Sequence, residues 1–186
     1  MKRNFLFIAL VGITFLAQWL IPVSMIIGRE RVLADGTEVK MNARSIDPYD
    51  PFRGRYVVIN AAPEIPESVA FPAGVKRGDT VYTLLEQVDS FARVSGIVME
   101  KPSQGLFLEA EVLWPDGRTL DFGLNRYYMN EAVAPAAEYI VRDRIIRDNA
   151  TVHATVKLRN GESVITGLFV DGKPVEELAG AASLSR

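Results

Sequence analysis

From Phe5 to Ile27 the chain runs 23 residues without a charged side chain, polar only at Thr14, Gln18 and Ser24. Lys2 and Arg3 precede this run, and Arg29, Glu30 and Arg31 follow it. At about 1.5 Å per residue it makes a helix of roughly 34 Å, long enough to cross a hydrocarbon core of about 30 Å with modest tilt. After residue 28 the pattern changes to a period of two. Thr37 to Ser45 sets Val39, Met41 and Ala43 against Glu38, Lys40, Asn42 and Arg44, which predicts a half-buried strand. Further strands are predicted over Arg55 to Asn60, Thr80 to Val88, Ala92 to Glu100, Leu106 to Trp114 and Thr119 to Leu124. Thr151 to Arg159 and Ser163 to Val170 flank Asn160-Gly161 as the clearest hairpin.

Asp35-Gly36, Asp116-Gly117, Asn160-Gly161 and Asp171-Gly172 are pairs that tolerate positive φ and suit tight hairpin turns. One stretch of the soluble part predicts a helix, from Pro135 in a first turn through Ala136 to Ile146. Pro63 to Gly78 and Asn125 to Pro135 read as irregular connections, and Gly180 to Arg186 as a frayed tail. The expected organisation is residues 1–4 before the span, an apolar span over 5–27, one mainly β domain over 28–179 and a flexible tail over 180–186. The expected architecture is a single antiparallel sandwich or barrel-like domain of about eight strands with one short helix.

The apolar run fits a cleaved signal peptide or a retained anchor. A signal peptide has an apolar core of about 7 to 15 residues and small residues before the cut. This run is longer, and Ser24-Met25-Ile26 is the nearest such triplet and ends in the wrong residue. Pro22 suits either a kinked last turn or the start of a cleavage region. An uncleaved signal anchor is the favoured reading. Lys2, Arg3 and the terminal amine are nearly balanced by Arg29 and Arg31 under the positive-inside rule. The long domain that follows the first apolar segment favours an N-terminus inside and export of the rest.

Charge narrows the partners. Two of the 21 basic residues lie before residue 28, leaving 19 against 23 acidic ones, so the domain is mildly acidic. A nucleic-acid binder needs a basic stripe to neutralise phosphates, and none is visible. The sequence has no cysteine, which excludes disulfides, thiolate nucleophiles, iron–sulfur clusters and thiolate zinc sites. No cofactor and no metal is expected.

The most distinctive local sequence is Ile46-Asp47-Pro48-Tyr49-Asp50-Pro51-Phe52-Arg53-Gly54-Arg55-Tyr56. Two Asp-Pro steps initiate turns and Gly54 permits a bend before a strand, so a rigid corner explains it. It also presents Asp47, Tyr49, Asp50, Arg53, Arg55 and Tyr56 together, the Arg and Tyr enrichment that interface centres favour. Arg126, Tyr127 and Tyr128 repeat that chemistry in a second turn region. Together with Gly54 these are the expected interaction surface.

This order of features resembles the GDYXXLXY family of bacterial membrane-anchored proteins. An apolar helix is followed by a strand, the Asp-Pro-x-Asp-Pro-aromatic-Arg-Gly step and a second strand. The resemblance extends to Tyr127-Tyr128 before Glu131 and to Val170-Asp171-Gly172-Lys173-Pro174-Val175. Gly54, Tyr56 and Ile59 match the naming motif, whereas Arg55 stands where the family has Asp and Ala61 where it has Tyr. The resemblance implies a bacterial inner-membrane anchor, a β-rich domain outside the cytoplasm and a multi-pass membrane protein as partner. It implies no reaction.

Catalytic readings are weaker. Gly78-Asp79-Thr80-Val81 looks like a turn of type I signal peptidases, whose chemistry needs a serine with a lysine base in reach. The one Ser-Met pair, Ser24-Met25, lies inside the apolar run, and Lys76 precedes the turn. Glu109 and Glu111 share a strand face, a pairing that glycoside hydrolysis also uses. His153, the lone histidine, alternates with apolar neighbours and reads as a strand-face residue. The expected role is an accessory or interaction module docking on a membrane protein, with a small-ligand-binding domain as alternative and an envelope hydrolase behind it.

Overall fold

The computed structural model describes residues 2–45, 56–114, 119–130, 133–148 and 150–184. Helix α1 runs unbroken from Lys2 to Asp35, with Pro22 inside it, and β1 (Thr37–Ser45) begins one residue later. Then come β2 (Tyr56–Ala62), β3 (Thr80–Val88), β4 (Phe91–Val98), β5 (Phe107–Trp114), β6 (Thr119–Asp121) and β7 (Arg126–Tyr128). Helix α2 (Ala134–Asp148), β8 (Val152–Arg159), β9 (Glu162–Val170), β10 (Lys173–Pro174) and α3 (Val175–Leu184) complete the chain.

The fold is mainly β, as the alternation predicts, and the sheet is a curled half-barrel. Its order is β10-β9-β8-β1-β4-β3-β5-β6. β1 is the branch point: Thr37 to Asn42 pairs with β8, whereas Asn42 to Ser45 pairs with β2, which also carries β7. Pairing between these strands is antiparallel except where Lys40 of β1 meets Phe91 of β4 in parallel, and single parallel bridges join Glu64 to Arg93 and Leu108 to Gly161. The curl is drawn in at the β8–β9 turn, where Glu109 N–H donates to the Gly161 carbonyl at 3.2 Å. Inside the curl Met41, Ile59, Val81, Val94, Leu108, Val112 and Leu168 form one buried cluster.

Turn chemistry explains the hairpins. Asn160 and Gly161 sit at φ 53° and 87°, and Asp171 and Gly172 at 49° and 78°, the two-residue turns that match strand twist. A third such turn, Asp89-Ser90 at φ 50° and 72°, joins β3 to β4 without glycine. Asp35-Gly36 is different from the expected hairpin: it ends α1, Gly36 N–H donating to the Val32 carbonyl at 2.9 Å. Asp116-Gly117 lies outside the described residues.

Three further features depart from the sequence reading. α1 continues eight residues past Ile27, because Val32 on its last turns is 1% exposed and packs on the domain. β7 forms in a stretch expected to be irregular, held by pairing to β2. Residues 180–184, expected in a tail, continue α3, whose Val175 and Ala179 are fully buried one turn apart. α2 buries Ala134, Ala137 and Val141 on one face and starts on the Asn130 carbonyl, with Pro135 in its first turn.

β8 is covered on both faces. His153 is 9% exposed, stacked on Phe169 at 5.1 Å and edge-on to Phe91 at 5.7 Å. Burial, with Lys40 nearby adding repulsion, holds its imidazole below the ordinary range. A folded-state pKa below the unfolded one means that stability is fully present above about pH 6.5 and lost as pH falls through the folded value. The thermal midpoint of the wild type is expected to drop more between pH 7.5 and 5.5 than that of His153→Phe, which keeps the ring stack. Parallel pH curves for the two would refute this.

Candidate interaction surfaces

The register brings the two aromatic segments together. Tyr56 pairs with Tyr128, Val57 with Tyr127 and Val58 with Arg126, so the strand leaving the Asp-Pro corner is the direct neighbour of β7. Asp47, Tyr49, Asp50, Arg53, Gly54 and Arg55 lie outside the described residues. Within β7 the burial alternates as a strand requires: Arg126 and Tyr128 are exposed and Tyr127 is buried. Tyr127 is therefore a core side chain rather than part of an open surface. Its hydroxyl donates to Glu176 Oε1 on α3. Burial first, then the Glu176 hydrogen bond and charge, pushes its phenol above the usual range. Tyr127 thereby joins β7 to α3 and fixes the strand on which Tyr128 is displayed.

A second surface was not anticipated as a unit. Between the C-terminal part of α1 and the open side of the curl lies a cleft of about 740 Å³. Ser24, Met25, Gly28 and Arg29 form its α1 wall. Opposite stand Glu109 and Glu111 of β5, Asp121 of β6 and Glu162 of β9. The shared strand face of Glu109 and Glu111 was visible in the sequence; that Asp121 and Glu162 join them depends on the curl. Arg29 is engaged, its Nη1 donating to the Ser163 carbonyl at 2.8 Å. This bond, the Lys157 ammonium donating to the Leu33 carbonyl, and the 3.9 Å ion pair of Arg159 with Asp35 hold the end of α1 on the β8–β9 hairpin. Glu109 and Glu111 are exposed on an open wall, not enclosed as paired groups in a dry site.

The peptidase-like turn has a structural explanation. Lys76 N–H donates to Asp79 Oδ2 at 2.8 Å, Gly78 takes φ 89°, and Gly78 N–H and the Asp79 carbonyl bond Val112. Ser24 Oγ donates to the Ile21 carbonyl at 2.7 Å within α1, and Lys76 is not on the cleft that Ser24 lines. No group of three or more His, Asp or Glu suited to a metal ion occurs among the described residues. Trp114 at the end of β5 is 57% exposed and carries the Arg77 guanidinium 4.6 Å from its ring centre. A shallower apolar hollow of about 550 Å³ lies on the β3–β4 face beside Pro72, Leu84 and Met99. Neither hollow is lined by Arg126, Tyr127 or Tyr128.

In comparison with known proteins, residues 18–168 match the family model described as GDYXXLXY protein. No curated protein and no solved structure gives a significant match.

Proposed function

The chain belongs to the GDYXXLXY family, and from that premise we propose that it is a single-pass accessory module of the bacterial inner membrane. Its N-terminus lies inside, its β domain lies outside the cytoplasm, and the domain docks on a multi-pass membrane protein. The observation that carries this reading is the continuity of α1 with the domain. Residues 11–27 are exposed around the whole helix, as lipid contact requires, whereas Val32 is buried and β1 follows Gly36 directly. Residues 2–35 form one helix that leads into the domain, and this continuity supports a retained anchor over a cleaved signal peptide. The family match begins at Gln18, inside the helix, which also supports treating helix and domain as one unit.

Docking, rather than ligand capture, is favoured by the exposed Arg126 and Tyr128 lying on neither hollow. A small-ligand-binding domain is the alternative reading and would use the 740 Å³ cleft. The test is photo-crosslinking in cells from Tyr128, Arg126, Tyr49 and Arg55. Capture of one multi-pass membrane protein from both segments is expected. Capture of no protein from any position, with the chain folded and in the membrane fraction, would reject docking.

A further inference from the structure

Gln18 is a carboxamide two residues from the centre of the Phe5 to Ile27 run, about 3 Å from mid-span. It is exposed on α1 and too short to reach either headgroup layer. Its two donors and one acceptor have no water to meet there, and polar side chains at this depth are matched by partners on other helices. Thr14, Gln18, Ile21, Met25 and Gly28 follow spacings of four and three and so share one face of α1. The next position in that series is Val32, which packs on the domain, and Met25 and Gly28 line the cleft. The face that carries Gln18 therefore runs directly under the cleft. Above it stand Glu109, Glu111, Asp121 and Glu162, against one arginine, Arg29, that is already bonded to a backbone carbonyl.

We propose that this face and the cleft above it form one continuous seat for a single transmembrane helix of the docking partner. That helix offers a hydrogen-bonding side chain at the depth of Gln18 and carries lysine or arginine at its outer end, where the four carboxylates receive it. Charge complementarity between the four carboxylates and the partner selects a cationic end. A second copy of this chain fits the seat poorly. Its own domain follows Gly36 without a linker at the same height and would meet the first domain before its helix could enter the cleft. The inference rests on the docking reading and specifies where the partner helix lies.

The test places a photoreactive residue at Ile21 or Met25 on this face, at Leu16 or Val23 on the opposite face, and at Tyr128, in otherwise wild-type protein in cells. Ile21 and Met25 are expected to capture the same multi-pass protein as Tyr128, and Leu16 and Val23 to capture no protein. Gln18→Leu is expected to lower the yield from Met25 by about three- to thirtyfold. The double variant Glu109→Lys with Glu111→Lys is expected to lower it about tenfold with an unchanged thermal transition. Capture from Tyr128 but not from Ile21 or Met25 would overturn the helix seat and leave docking standing. Equal capture from both faces, or an adduct of two copies of this chain from Met25, would also overturn it. No capture from any position, Tyr128 included, would overturn both.

Discussion

Replacing Gly161 by valine is expected to destabilise the domain by about 4 kcal/mol, a large share of the stability of a single domain. Two costs coincide. Gly161 takes φ 87°, where a β-branched side chain is strained. A Cβ there would also lie 2.8 Å from Cε2 of Phe107, a ring that is 5% exposed and cannot swing into solvent. The position matters because the Gly161 carbonyl accepts from Glu109, the hydrogen bond that draws β5 onto the β8–β9 turn. The thermal midpoint of the detergent-solubilised chain is expected to fall by about 8 to 16 °C. In a double-mutant cycle with Phe107→Leu, part of the loss should return, since the ring contact is relieved and the backbone strain is not. Strict additivity would show that Phe107 is not what Gly161 accommodates.

Gly36→Ala is the second large effect, expected at about 3 kcal/mol, or 6 to 12 °C. No unusual φ is involved. The obstacle is space: an added Cβ would stand 2.3 Å from the Val32 carbonyl oxygen, 3.1 Å from Lys157 Cβ and 3.3 Å from Leu158 N. Two of these are backbone atoms of α1 and β8, so relief requires the last turn of the helix to lift from the sheet. Limited proteolysis should then reveal a new cut between Val32 and Thr37 that the wild type resists. A midpoint within 1 °C of wild type and no new cut would mean that α1 and β8 are not packed at this joint.

The same joint shows what a sequence displays and what it hides. β1 and β3 were legible to the residue because alternation of apolar and polar side chains is a local signal. Asn160-Gly161 and Asp171-Gly172 were legible because the turn geometry belongs to the pair itself. Asp35-Gly36 carries the same chemistry and closes a helix instead, since only the packing of Val32 decides whether the residues before it are helical. β7 spans three residues and exists by pairing with β2, a partner about seventy positions away. α3 was hidden by its small residues, whose burial against α2 is tertiary. Arg126 and Tyr128 are exposed, while Tyr127 between them turns inward because a strand alternates. The acidic cleft gathers residues from α1, β5, β6 and β9, and no window of sequence contains it.

With one residue between helix and strand, there is no slack in which the domain could swivel. In a bilayer-anchored chain its azimuth is then written in residue count: each residue inserted between Ile27 and Gly36 would turn the whole sheet by about 100° and raise it by about 1.5 Å. Glu30 and Arg31, solvent-exposed on the stretch of α1 beyond Ile27, act in this sense as spacers whose number outweighs their identity. A partner that binds one given face of such a helix would then always meet the same side of the β domain at the same height, so that the helix contact and the domain contact are locked in register.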